Sequence, residues 1–155
     1  MEKQLVIHYN EFENHLGLSE TELIMLEKAK LSSEKAYSPY SKFNVGASVL
    51  LENGSVLVGN NQENVAFPSG MCAERVVLFN AGANFSNERI QSILIVSKGD
   101  LLLEEQVITP CGACRQVILE SEKRQGVPIK VILTSQSGRV IVFASASDLV
   151  PFSFG

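Results

Sequence analysis

The chain's 155 residues are 45% hydrophobic and 19% charged, enough apolar material for one domain with its own core and too little length for two. Eleven glycines and five prolines fall below the level of low-complexity or collagen-like chains. Seventeen acidic against 13 basic residues, a net charge of −4, leave no positive field to hold a polyphosphate, so no nucleic-acid polymer is expected as a partner. The opening apolar run, Leu5-Val6-Ile7, closes at His8, well short of a secretory signal. No later run approaches the roughly 18 to 20 apolar residues of a membrane span. A cytoplasmic protein without a membrane partner is the expectation. Cys72, Cys111 and Cys114 are then an odd number of thiols in a reducing compartment, better explained by metal or catalysis than by disulfides.

In chain order, Gln4 to His8 reads as a short strand. Ser19-Glu20-Thr21-Glu22 has the S-x-x-E form of a capping box, and a helix from about Glu20 to Tyr37 follows. Its packed stripe is expected at Leu23, Leu26, Ala29 and Ala36, with Glu22, Glu27, Lys28 and Glu34 on other faces, and Pro39 bars its continuation. Apolar stretches Val45 to Leu51 and Ser55 to Val58 flank Glu52-Asn53-Gly54, the strongest short hairpin signal. A buried helix runs from Cys72 to Gly82, then a strand from Ile90 to Val96. Thr109-Pro110 opens a helix through Cys111 to Glu122, packed through Val117, Ile118 and Ser121 and ended by Gly126-Val127-Pro128. Two strands, Ile129 to Thr134 and Arg139 to Phe143, complete an α/β chain in which helices cover a mixed sheet of about five strands. No repeat or linker interrupts it.

All three cysteines sit at predicted helix N-termini, where unpaired N–H groups and the positive end of the helix dipole favour thiolates. Three converging thiolates require a cation. Zinc prefers four tetrahedral ligands, so three protein sulfurs leave one position open, as a catalytic site requires. Glu74 lies on the same helix turn as Cys72, yet i and i+2 are separated by about 200° around a helix, so it should stand near the metal without ligating beside Cys72. A carboxylate there can take a proton from water and hand it on. Cys111-x-x-Cys114 alone would equally suit a structural zinc knuckle or a redox dithiol. The addition of Cys72-x-Glu74 favours a mononuclear catalytic site. His8 and His15, the two histidines, are expected to be incidental.

Cys72-Ala73-Glu74 and Pro110-Cys111-Gly112-Ala113-Cys114 fit the all-cysteine form of the zinc deaminase pattern. With Tyr37-Ser38-Pro39-Tyr40-Ser41, Phe43-Asn44-Val45-Gly46-Ala47, Asn61-Gln62-Glu63-Asn64, Arg115-Gln116 and Leu149-Val150-Pro151-Phe152, the sequence closely resembles the small, homotetrameric class of cytidine deaminases from about Leu23 to Phe154. Met1 to Gly17 has no counterpart in the shortest members, so residues 1–17 read as an extension and 18–155 as the deaminase domain. The loop Phe67-Pro68-Ser69-Gly70-Met71 departs from the commonest form.

The resemblance implies a three-layer α-β-α fold and hydrolytic deamination of cytidine and deoxycytidine to uridine and deoxyuridine, with release of ammonia, in pyrimidine salvage. It implies one Zn²⁺ per chain on Cys72, Cys111 and Cys114, with Glu74 activating water and protonating the ring nitrogen. Asn61 and Glu63 match the pair that holds ribose hydroxyls; an amide and a carboxylate two apart on a strand end also suit a diol on physical grounds. Phe43 and the backbone of Ala73 are implied in holding the base, and Arg75 in donating to the thiolates, whose net charge of about −1 around Zn²⁺ calls for a nearby cation. Phe152 and Phe154 are implied in a pocket shared with a neighbouring subunit. A relative acting on another aminopyrimidine, such as blasticidin S or a nucleotide, and a zinc-stabilised binding module or RNA-editing adaptor are the alternatives.

Overall fold

Strand pairing organises the molecule. The computed structural model describes residues 1–100 and 103–154. Their elements are β1 (Asn10–Phe12), α1 (Glu20–Ser33), β2 (Asn44–Leu51), β3 (Val56–Asn60), α2 (Ala73–Asn84), β4 (Ile90–Lys98), α3 (Gly112–Gln125), β5 (Lys130–Thr134) and β6 (Val140–Phe143). One mixed sheet has the order β1-β6-β5-β4-β2-β3. Its parallel pair is β4 with β5, the connection carrying α3; the other pairs are antiparallel.

Both faces of the sheet are covered. Val49 and Leu51 of β2, Ile93 and Ile95 of β4, and Val131 and Leu133 of β5 pack under Val77 and Leu78 of α2 and Ile118 and Leu119 of α3. Leu94, Val96, Ile132 and Val140 point the other way, against Met25, Leu26 and Ala29 of α1. The period of two along β4 and β5 serves two cores at once, which is why these strands are nearly continuous apolar runs. The three-layer α-β-α expectation holds, with six strands where about five were expected.

The sixth strand explains the difference. The strand expected at Gln4 to His8 lies instead at Asn10–Phe12, pairing with β6 through Asn10↔Val142 and Phe12↔Val140, while residues 4–8 are exposed and outside any strand. Glu11 also pairs with Arg139 of the 135–139 turn region, and Phe12 packs on the α1-side core. Helix ends shift too. α1 stops at Ser33 because Lys35 and Ala36 donate back to Ser32 and Ser33 in tight turns, freeing Tyr37 to bridge to Gln62. α2 continues past Gly82 to Asn84, and α3 past Glu122 to Gln125.

The buried stripe of α1 is Glu22, Met25, Leu26, Ala29, Ser32 and Ser33, a sequence of i, i+3, i+4 steps that leaves Leu23 exposed and puts a carboxylate inside. Glu22 is tolerated there because Ser19 and Lys130 satisfy it, Lys130 Nζ lying 2.9 Å from Oε1. Two glycines let helices approach the sheet closely. A Cβ on Gly46 would stand 2.0 Å from the Ala29 carbonyl oxygen of α1, and one on Gly59 would stand 2.7 Å from the Ala73 oxygen and 2.8 Å from Val77 N of α2. Among the described residues no helix is long and apolar enough to cross a membrane.

Candidate active site

The close approach at Gly59 seats the first turn of α2 against β3, and α3 begins beside it. Cys72 is the N-cap of α2, Cys111 is the N-cap of α3, and Cys114 follows in the first turn of α3. Their three Sγ atoms lie within 4.8 Å of one another. Sulfurs around a single tetrahedral zinc stand about 3.8 Å apart, given Zn–S bonds of about 2.3 Å, so this trio needs only small side-chain adjustments to hold the ion. The donor set therefore fits zinc. Neither N-cap cysteine spends its side chain on a capping hydrogen bond.

Electrostatics at the trio follow from packing. As thiols, Cys114 donates to Cys72 and pulls it down to about 5 against the opposing effect of burial, with Arg75 helping through a contact from Nη2 to Cys72 Sγ of 3.5 Å. Cys114, buried and holding the shared proton, is pushed up. A proton shared between sulfurs is what a bound cation displaces. Glu74 is 5% exposed, and burial, reinforced by the charge on Cys72, holds its carboxyl above the ordinary range. A carboxyl whose proton is held more tightly than usual can both give and take one at the site.

Cys72, Cys111 and Glu74 open on a cavity of about 210 Å³ whose far wall is Val45, Ile95 and Ser97 of the sheet. Phe43 and Asn61 line it as well. Phe43 arrives through a turn in which Lys42 takes the left-handed conformation, φ 55°, unusual for a residue with a side chain. Asn61 braces this wall: Oδ1 accepts from Val45 N at 2.8 Å and Nδ2 donates to the Phe43 oxygen at 2.8 Å. Glu63 lines an adjoining hollow of about 300 Å³, together with Asn61, Cys72 and Arg75. Its carboxylate accepts from Tyr40 N at 2.9 Å, Ser41 N at 3.3 Å and the Ser41 hydroxyl. Ala73 is the fully buried first residue of α2.

Phe152 and Phe154 are not brought to this cavity within the chain; they stand 90% and 89% exposed. Arg115, given no role by its sequence position, turns out to hold the wall that precedes α3. Its guanidinium donates to the Pro110 oxygen at 2.8 Å, to Thr109 Oγ1 at 2.7 Å and to the Leu149 oxygen at 3.3 Å. The signal available for it was its place directly after Cys114. Ser41 stood in the Tyr37 to Ser41 motif without a role of its own, and Ser97 carried no such signal.

Residues 19–129 match the profile of the cytidine and deoxycytidylate deaminase zinc-binding region. A cytidine deaminase of Halalkalibacterium halodurans is 40% identical over 97 residues, 63% of this chain and 69% of the relative. The crystal structure of cytidine deaminase from Burkholderia pseudomallei superposes with a TM-score of 0.73 at 40% identity, over 85% of this chain and 98% of that one. The Mycobacterium tuberculosis cytidine deaminase structure gives 0.65 at 30% identity, over 86% and 96%. Profile, relatives, fold and a cysteine trio at paired helix starts agree, and the chain belongs to the cytidine deaminase family of hydrolytic enzymes.

Proposed function

We propose that this enzyme deaminates cytidine and deoxycytidine to uridine and deoxyuridine, releasing ammonia, as a cytoplasmic homotetramer of pyrimidine salvage with one zinc ion per chain. Residues 18–155 form the catalytic domain and residues 1–17 an extension. The observation that carries this reading is the juxtaposition of three sulfurs within 4.8 Å with the buried Glu74 carboxyl in one small, largely apolar cavity.

Cys72, Cys111 and Cys114 would hold the zinc, which when bound supplies the Lewis acidity that makes water a nucleophile at neutral pH. Glu74 accepts the proton that the attacking water gives up, delivers it to ring N3, and serves again as the C4–N bond breaks and the amine leaves as ammonia. Its raised carboxyl suits both directions of transfer. Arg75 offsets the negative charge of the thiolate trio through its contact with Cys72. Phe43 presents an aromatic surface to the base, and the Ala73 backbone at the helix start offers an N–H to it. Asn61 keeps one amide hydrogen and one lone pair beyond its two backbone bonds, and Glu63 keeps acceptor capacity, so both can hold ribose hydroxyls. Phe152 and Phe154, exposed in one chain, are covered by a neighbouring subunit near its cavity.

An ultraviolet assay of the purified protein against cytidine, deoxycytidine, their monophosphates and blasticidin S, with zinc quantified and mass measured by light scattering on the same sample, tests this. The expected result is turnover of the two nucleosides, about one zinc per chain and the mass of four chains. Zinc-loaded protein that turns over only monophosphates or blasticidin S would overturn the substrate assignment.

A further inference from the structure

The segment that carries Phe43 to the cavity, residues 38–43, lies outside any helix or strand, so side chains set its shape. Lys42 stands in the left-handed conformation, φ 55°, which a residue with a side chain keeps only where its surroundings fix it. Phe43 has its own N–H and its own carbonyl taken by side chains. The carbonyl oxygen accepts from Asn61 Nδ2 at 2.8 Å, and the N–H donates to Ser41 Oγ at 3.0 Å. The Ser41 hydroxyl in turn donates to Oε1 of Glu63. The aromatic wall is therefore tied to both residues assigned to the ribose, directly to Asn61 and through Ser41 to Glu63.

The two carboxylate oxygens of Glu63 are not equivalent. Oε2 accepts from Tyr40 N at 2.9 Å and Ser41 N at 3.3 Å, which fills its two lone pairs. Oε1 accepts from the Ser41 hydroxyl and keeps one lone pair for a further donor. The Glu63 backbone is fixed by its N–H on the Tyr37 oxygen at 2.8 Å, so Ser41 decides where that remaining lone pair points. The same hydroxyl is foremost among the contacts that hold the Glu63 carboxyl below its ordinary range and so keep it an ionised acceptor.

We propose that Ser41 is a positioning residue that joins recognition of the sugar to recognition of the base. Its O–H aims Oε1 of Glu63 at a ribose hydroxyl, while its oxygen, by accepting from Phe43 N, holds the aromatic wall in place. The inference rests on the deaminase reading above, which gives the sugar to Glu63 and the base to Phe43. One hydroxyl can do both because it donates and accepts at once.

The test uses the zinc-loaded full chain, with Ser41→Ala and the hydroxyl-preserving Ser41→Thr. Two competitive inhibitors with the same base are compared: uridine, and its 2′,3′-dideoxy analogue, which has hydrogen in place of both ring hydroxyls of the sugar. Ser41→Ala is expected to raise the uridine inhibition constant about 5- to 10-fold and that of the dideoxy analogue about 2- to 3-fold, both within the range of one net hydrogen bond. The preference for uridine over the analogue therefore shrinks. The KM for cytidine should rise with the uridine constant while kcat holds, the pattern of lost binding common to ground and transition states. Ser41→Thr should restore most of the preference. Ser41 is exposed, so zinc content and melting temperature should stay near those of the wild type. A preference unchanged by Ser41→Ala would show that the hydroxyl shapes the turn alone, and an unchanged constant for the dideoxy analogue would show that it does not act through Phe43; either result overturns the assignment. A wild-type protein that holds zinc yet neither binds uridine nor deaminates cytidine overturns the deaminase reading, and this inference with it.

Discussion

α1 and the pair α2 and α3 meet the same problem at their N-termini and solve it in opposite ways. Every helix start leaves N–H groups without intrahelical acceptors. α1 closes its own with a complete capping box: Ser19 Oγ accepts from Glu22 N at 3.3 Å and Glu22 Oε2 accepts from Ser19 N at 2.8 Å. α2 and α3 begin on cysteines that cap nothing, so their N–H groups and dipoles face the place where three sulfurs gather. The α1 side of the sheet spends its helix start on stability. The other side leaves its starts unfinished, and that is where the proposed chemistry sits.

Removing the proton carrier on the α2 side should give the largest effect. Glu74→Gln keeps all three sulfurs, so zinc content should stay while kcat falls about 10³-fold or more, the upper range for loss of a general acid and base. The melting temperature should not drop, because a buried carboxyl is replaced by a neutral amide of the same shape. Single-turnover rates and metal analysis check this, and a loss of less than about tenfold would contradict the role.

Paired glycine substitutions sharpen the contrast between the two faces. Gly46→Ala collides with α1 and Gly59→Ala with the first turn of α2, both against backbone that cannot rotate away. Each should cost about 1–3 kcal/mol in urea unfolding. Only Gly59→Ala shifts Cys72 relative to Cys111 and Cys114, so chelator competition should show zinc affinity about tenfold weaker for Gly59→Ala and much less changed for Gly46→Ala. Equal loss of metal affinity in both would mean that the site responds to general destabilisation.

The cysteine and glutamate motif was legible in the sequence because its parts are local: Cys72 and Glu74 share one turn, as do Cys111 and Cys114, and helix starts announce themselves by N-cap and proline chemistry. The hairpin at Asn53-Gly54 was legible for the same reason. What escaped depended on distant partners. β1 is a strand only because β6 offers an edge some 130 residues later in the chain, whereas the more apolar Leu5-Val6-Ile7 meets no such edge. The α1 stripe was read correctly at Leu26 and Ala29 but missed at its start, where Glu22 and not Leu23 is buried, because Glu22 looks like a surface residue until Lys130 is seen beside it. Arg115 acquires a role by reaching the Leu149 carbonyl, 34 residues away.

Within the capping box itself the effects become smaller. Ser19→Ala removes the acceptor for Glu22 N and should lower stability by about 1 kcal/mol in thermal or urea unfolding, with zinc affinity and kcat unchanged. A measurable loss of zinc in this variant would dissolve the division between the two sides.

The finest test asks whether α1 owes its start to the charge on Glu22 or only to its hydrogen bonds. Burial pushes the Glu22 carboxyl up, but the Ser19 N–H, the Lys130 ammonium and the Ser19 hydroxyl together outweigh it and hold the group below its ordinary value of 4.5. A folded-state value below the unfolded one means that the unfolded chain takes up the proton first. The ionised carboxylate therefore stabilises the fold above about pH 4.5, and that contribution is lost as pH falls through the folded-state value. Glu22→Gln can still accept from Ser19 N but cannot titrate. Because Lys130 is half exposed and its attraction is screened, the wild type should exceed the variant by only about 0.5–1 kcal/mol at pH 7. Urea midpoints at pH 7, 5 and 3 should show that gap intact at pH 7, little changed at pH 5 and closing by pH 3. A gap that stays constant down to pH 3 would show that hydrogen-bond geometry, not the ionised carboxylate, closes the helix.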